Sequence, residues 1–202
     1  MEGFDGVGAS MSDEGVKAFE EGAFMEGSSK WLVVALFCAI LLWRHDAEAL
    51  WAAVGAVLNT ALSVALKKIL NQERPIYTLR SDPGMPSSHA QSIFYTITFL
   101  NLSLAEWYGI NGLTATLSGL FVILGSYFSW LRVSQQLHTV SQVVVGALLG
   151  SVFSILWYWS WNTFVLNLFI SFLWVRIVVV LGAIGFCVSF LYHIYQSWIV
   201  EE

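Results

Sequence analysis

The side chains able to bind an anion, move a proton or act as a nucleophile gather in three short stretches. The first runs from Lys67 to Arg74 and closes on Pro75. A helix end, followed by a residue that the proline holds out of the α region, lets an ammonium and a guanidinium aim at one point. The pair suits an oxyanion, because Arg offers a planar fork matched to phosphate oxygens and Lys a compact point charge. Lys67, Lys68, Arg74 and Arg80 would serve equally as anchors for a helix end among lipid headgroups, so the residue types alone leave both roles open. The second stretch, Gly84-Met85-Pro86-Ser87-Ser88-His89, opens directly onto an apolar run. Serine at a helix start caps backbone N–H groups, and such an end is a ready anion site; His89 there is placed to protonate a leaving oxygen. Pro-Ser-Ser is also an ordinary helix entry. The third stretch is Arg132, His138 and Gln142. On a helix restarting near His138, Gln142 shares its face, and the amide oxygen can accept from one ring nitrogen while the other is directed outward as base or nucleophile. Unbroken helix would turn Arg132 away from His138, so a break within residues 133–137 is required, although no Gly or Pro marks it. A satisfied interfacial histidine is the plain alternative.

These stretches interrupt a very apolar chain. Of its 202 residues 57% are hydrophobic and 11% charged, which excludes an ordinary soluble domain and indicates an integral membrane protein. All three prolines and four of the nine Lys and Arg residues fall within residues 67–89, more chemistry than a turn requires. Six of the fourteen carboxylates lie in the first 21 residues and two close the chain, so the net charge of −5 identifies no partner. Cys38 and Cys187 stand far apart inside apolar runs and read as small hydrophobes rather than as a disulfide or metal ligands. Residues 1–29 lack the basic and apolar parts of a secretory signal and are too acidic for an organellar transit peptide. They are expected to form a tail, with residues 16–25 suited to a short amphipathic helix, and any targeting segment is expected to have been removed or never present.

Apolar runs of crossing length, roughly 17–25 residues, fall near 47–66, 88–107, 113–131, 139–161 and 175–193. A shorter one near 28–44 has its uninterrupted core from Trp31 to Trp43, short enough for a tilted or partly re-entrant helix. Residues 163–174 are apolar too, but a span extended across them would carry Arg176 into lipid, so they are placed at the interface. The runs lack the alternation of barrel strands. The expected fold is all-α, a polytopic membrane bundle of about six transmembrane helices over residues 30–195, with tails at 1–29 and 196–202. If the second span ends at Lys67, parity brings the 67–89 loop, Arg132 and His138 to one membrane face, whether or not the first run crosses. The positive-inside tendency puts that face on the cytoplasmic side or its organellar equivalent, in a count that includes the candidate ligands themselves.

Taken together, K-x6-R-P, P-S-S-H and R-x5-H resemble the three-part signature of the type 2 phosphatidic acid phosphatase superfamily in order, spacing and membrane side. The strings LRSDPGMPSSHAQS and WLRVSQQLHTVSQVVVG look like its plant plastid branch, lipid phosphate phosphatase epsilon, and more distantly like dolichyl-diphosphatases. The resemblance implies a haloperoxidase-like helical bundle in which Lys67, Arg74 and Arg132 clamp a phosphate and Ser87, Ser88 and nearby N–H groups complete the cradle. It makes His138 the nucleophile that forms a phosphohistidine, and His89 the acid that protonates the leaving alkoxide and then helps to activate water. It implies conversion of phosphatidic acid to diacylglycerol in the chloroplast inner envelope. The partners it implies are the lipid substrate and the bilayer, with no nucleic acid and no named protein. Neither metal nor other cofactor is expected, since the clamp supplies three cations, and Glu73 and Asp82 read as scattered, solvated loop acids. Two positions depart from the family pattern: Ser88 stands at a usual Gly, and Gln142 where an Asp usually orients the nucleophile. The epsilon and dolichyl-diphosphatase branches share both changes. A polyprenyl or dolichyl diphosphate phosphatase would carry the same motifs. A non-catalytic lipid-phosphate-binding membrane protein is the other alternative, with Gln142 as its warning sign. The related vanadium haloperoxidases share the clamp but are not membrane-embedded bundles of this size.

Overall fold

The computed structural model describes residues 46–74 and 83–200. The tail at 1–29, its 16–25 segment, the apolar run at 28–44, and Pro75, Arg80 and Asp82 lie outside the described residues. Within them every regular element is helical: α1 (Ala47–Leu70), α2 (Ser88–Tyr108), α3 (Gly112–Ser134), α4 (Val140–Ser160), a π-helical turn (Trp161–Val165), α5 (Leu166–Ser171) and α6 (Leu173–Val200). Local chemistry sets the ends. Asp46 accepts from the Ala49 N–H at 2.8 Å to start α1, Asn71 in the left-handed region (φ 39°) ends it, and Asn111 and Thr114 cap α3 reciprocally.

Ala47–Leu70, Gly112–Ser134 and the run Val140–Ser171 are long and apolar enough to cross a membrane, and the molecule is a multi-pass membrane bundle. The expected span at 88–107 is a helix, α2, but it is not among those apolar enough to be recognised as crossing a membrane by composition. Its rise of about 31 Å matches the hydrocarbon thickness, and its buried face carries Gln91, Tyr95, Thr96 and Ser103, which helical neighbours rather than lipid enclose. Residues 163–174, expected at the interface, hold the π turn and α5, which ends at the extended Phe172 (φ −125°). Arg176 donates to the carbonyls of Phe169 and Ile170 at 2.7 and 2.6 Å, satisfying the end of α5. Helix α6 continues to Val200, past the expected span end at residue 193 and into the expected tail.

The most extensive packing is α2 against α4, and it depends on small residues. Gly146, Gly150 and Ser154 recur every four residues on one face of α4 and are buried. A Cβ on Gly146 would stand 2.6 Å from the Ser87 carbonyl oxygen, and one on Gly150 2.1 Å from that of Gln91, so the backbones touch. Ser154 Oγ donates to the Tyr95 carbonyl at 2.9 Å. In lipid, where apolar tails give helices little reason to associate, close small-residue contacts and interhelical hydrogen bonds hold such a pair. Helix α1 joins through Gln91 Nε2, which donates to Asn59 Oδ1 at 2.9 Å, and Tyr95 OH, which donates to Ala52 O at 2.8 Å. Nearer the opposite end Trp51 and Trp157 stack at 4.3 Å, each indole donating to the other's carbonyl. Helix α6 lies along α1 and α3 against α2. Leu120, Ile123, Leu148, Ile155 and Leu181 remain exposed on the outer faces, as a lipid-facing surface requires.

Candidate active site

The end of the bundle where α1 and α3 finish and α2 and α4 begin carries the three stretches. The required break between Arg132 and His138 is a Schellman turn. Gln136 is in the left-handed region (φ 55°), Leu137 N–H donates to the Arg132 carbonyl at 3.1 Å and Gln136 N–H to that of Val133 at 2.9 Å. The His138 N–H also reaches the Arg132 carbonyl, at 3.2 Å, so one acceptor ties together both ends of the R-x5-H motif. The next helix begins at Val140 rather than at His138 itself. Thr139 is its N-cap, accepting from the Gln142 N–H at 3.3 Å and donating its own N–H to Gln142 Oε1 at 3.2 Å. Thr139 was not singled out in the sequence, although T-x-x-Q is a capping-box pattern that could have revealed it.

Gln142 Oε1 lies 3.2 Å from His138 Nδ1. Its amide cannot be turned over, because Oε1 already accepts from Thr139 N–H and Nε2 donates to the Glu73 carbonyl at 3.0 Å. Nδ1 of His138 therefore carries the proton, and Nε2 keeps its lone pair. Burial of the ring, which is 4% exposed, lowers the His138 pKa from 6.5 to about 4. The positive charges of Arg74, Arg132 and Lys67 push the same way, opposed by the Gln142 hydrogen bond. The three cations expected to clamp phosphate thus all act on one imidazole, which is neutral at pH 7.

The remaining residues fall around this centre. Arg74 Nη1 donates to the Leu137 carbonyl at 3.3 Å, and Arg132 is buried, with Nε and Nη1 shielded from solvent. Ser87 is fully buried; its Oγ caps α2 by accepting from Ala90 N–H at 3.5 Å, and its N–H donates to the Gln142 carbonyl at 3.1 Å. Ser88, at the family's usual Gly, turns its hydroxyl toward α1, where Ser63 Oγ donates to it at 2.7 Å. The extra side chain therefore leans on a neighbouring helix. Ser63 is a second residue that motif spacing did not reveal. His89 lies in the first turn of α2 with Nε2 buried, at a helix start whose first N–H groups have no intrahelical acceptor and favour an anion. Glu73 contributes its carbonyl, and its side chain belongs to an exposed residue. Among the described residues no three His, Cys, Asp or Glu side chains come together. The arrangement can hold a small oxyanion among three cations and a helix start, facing a neutral imidazole whose lone pair points away from its orienting amide.

Residues 48–166 match the model of the PAP2 superfamily. The chain is similar to the chloroplastic lipid phosphate phosphatases epsilon 2 and epsilon 1 of Arabidopsis thaliana. It is 56% identical to the first over 174 residues (86% of this chain, 61% of that protein) and 55% identical to the second over 180 residues (89% and 64%). It spans less than two thirds of the length of these relatives. A dolichyldiphosphatase of Saccharomyces cerevisiae is 29% identical over 131 residues, covering 60% of this chain and 55% of that protein. The fold is shared with the crystal structure of a transmembrane PAP2-type phosphatidylglycerolphosphate phosphatase from Bacillus subtilis, with a TM-score of 0.59 and 16% identity over 71% of this chain and 77% of that one.

Proposed function

The chain belongs to the PAP2 superfamily, and on that premise we propose that it is a lipid phosphate phosphatase converting phosphatidic acid to diacylglycerol and inorganic phosphate. The observation that carries the reading is the convergence of Lys67, Arg74 and Arg132 on a neutral His138 whose Nδ1 is held by Gln142. The three cations neutralise the phosphoryl oxygens, and Nε2 of His138 attacks phosphorus. The bond from phosphorus to the lipid oxygen breaks as His89, in its protonated form, gives that oxygen a proton. Water, activated by the now neutral His89, then cleaves the phosphohistidine and releases phosphate. Positioning and charge stabilisation supply most of the rate in such transfers. With three fixed cations at the phosphoryl group, no divalent metal is required. The epsilon relatives are named as chloroplastic lipid phosphate phosphatases, which supports a lipid phosphate as substrate and the chloroplast, at its inner envelope, as the home.

The test is phosphate release by detergent-purified protein from phosphatidate and from a polyprenyl diphosphate in mixed micelles, with EDTA present. Phosphatidate should be the preferred substrate and EDTA should leave most activity intact. Preference for the diphosphate would move the assignment to the reaction named for the yeast relative. Activity lost to EDTA and restored by magnesium would refute the cation clamp. Release from neither substrate would leave a lipid-phosphate-binding protein.

A further inference from the structure

We propose that Gln142 positions both halves of the site: its amide oxygen sets the His138 ring, and its amide nitrogen holds the Glu73–Arg74 end of the phosphate clamp, so a carboxylate cannot replace it. The inference rests on the roles proposed above for His138 and Arg74 and goes beyond the orienting role implied for this position by resemblance.

Gln142 is 1% exposed and contacts residues from all three stretches. Oε1 faces His138 Nδ1 and accepts from Thr139 N–H, both at 3.2 Å. Nε2 donates to the Glu73 carbonyl at 3.0 Å and to Gln72 Oε1 at 3.3 Å. The main-chain carbonyl accepts from Ser87 N–H at 3.1 Å. On the other side the Gly84 N–H donates to the Gln72 carbonyl at 2.7 Å. A Cβ on Gly84 would stand 2.7 Å from Gln142 Nε2, so the loop closes directly over the amide. An amide both donates and accepts, whereas an ionised carboxylate only accepts. Replacing Nε2 by a charged oxygen would set it against the Glu73 carbonyl and Gln72 Oε1. Residues 72–74 would have to move, carrying the Arg74 guanidinium with them.

Capping makes a different demand. The third position of a T-x-x-[E/Q] box takes Glu as readily as Gln, and an acidic side chain in a first turn is favoured by the helix dipole. Gln142→Glu keeps length, cap and acceptor, removes the donor and adds a negative charge. Gln142→Met removes donor and acceptor without adding charge. Gln72→Ala removes one partner of the donor from an exposed position and leaves the His138 contact in place.

The experiment measures inorganic phosphate binding to the detergent-purified full chain by 31P NMR, alongside kcat and KM for phosphatidate across pH. Both Gln142 variants should bind phosphate at least roughly tenfold more weakly. Gln72→Ala should raise KM and weaken phosphate binding about threefold while keeping the wild-type pH dependence of kcat. Wild-type phosphate binding in Gln142→Glu overturns the proposal. Loss in Gln142→Glu with wild-type binding in Gln142→Met also overturns it, since charge repulsion would then account for everything. Should the Gln142 variants fail to fold, Gln72→Ala decides, and unchanged phosphate binding and KM there overturn the proposal. A wild-type protein that binds phosphate but hydrolyses no lipid phosphate would refute the enzymatic reading, and the binding series would still decide the positioning claim.

Discussion

Substituting Gly150 by Ala tests whether the membrane-embedded packing sets the geometry of the phosphate site. A Cβ at this position would lie 2.1 Å from the Gln91 carbonyl oxygen and 3.0 Å from the Tyr95 nitrogen, both backbone atoms that no rotamer change can move. Real Cβ contacts essentially never fall below 3.0 Å, so α2 and α4 must separate or slide by about 0.9 Å. Overpacking of this kind costs about 1–3 kcal/mol, offset by about 1 kcal/mol for removing a glycine from a helix interior, so the protein should still fold. Catalysis should suffer far more, because α2 carries His89 and α4 carries Gln142, and a misplacement of about 1 Å at a reacting centre costs about a hundredfold in rate. Gly119→Ala in α3 is the matched control, since nothing lies within 4 Å of its Cβ position; it should leave turnover unchanged and thermal stability equal or higher. The assay is kcat in phosphatidate mixed micelles together with thermal unfolding of both variants. A folded Gly150→Ala protein within about threefold of wild-type kcat, under 0.7 kcal/mol of barrier, would refute the claim that this backbone contact positions the site.

His138→Ala should abolish turnover and any acid-labile phosphoenzyme. His89→Ala should still accumulate some intermediate from a substrate with a good leaving group, which needs less protonation, and wild-type turnover in His138→Ala would dispose of the nucleophile assignment. Because the His138 pKa is lowered to about 4, the neutral ring should persist well below pH 6.5, and its modification by diethyl pyrocarbonate should fall off near pH 4; Arg74→Gln, which removes the largest cationic contribution, should move that inflection upward. Burying a neutral histidine also adds stability that is present above pH 6.5 and is lost as pH falls toward about 4, so acid unfolding should shift to higher pH in proportion to this shift and be relieved in His138→Ala. Gln136→Gly should raise stability by about 0.5–1 kcal/mol by removing a side chain from a left-handed turn, and a lower melting temperature would count against the Schellman geometry.

Much of this architecture is legible in the chain because lipid imposes a simple rule. Long apolar runs marked the positions of α1, α2, α3, α4 and much of α6, and parity then brought Lys67, Arg74, Ser87, Arg132 and His138 to one end. The break after Arg132 was legible as a geometric necessity, since R-x5-H cannot converge on an unbroken helix, but its form was not, because the left-handed position is held by Gln136 where Gly or Asn would have announced it. The partners of the motif residues were the least visible. Ser63 meets Ser88 across 25 residues of sequence, and Gln142 reaches Glu73 across 69; neither contact has a local signature. The hydroxyl partners of Ser87 and Ser88 were equally hidden: Ser87 accepts from the Ala90 N–H as a cap, and Ser88 accepts from Ser63 on α1.

The first turn of α4 and the turn leading into it serve as the common reference for all three stretches. Arg74 is tied to the Leu137 carbonyl, Ser87 to the Gln142 carbonyl, Glu73 to the Gln142 amide and His138 to the same amide and to Arg132. Among the described residues, each stretch makes a hydrogen bond to the start of α4 or the turn before it. A shift of α4 relative to α2 therefore changes how His138, Arg74 and the start of α2 sit relative to one another. That is why Gly150, about 12 Å along the helix from Gln142, should govern turnover through a contact that touches no reacting atom. Gly119, in a helix that meets α4 only sparingly, has no comparable lever.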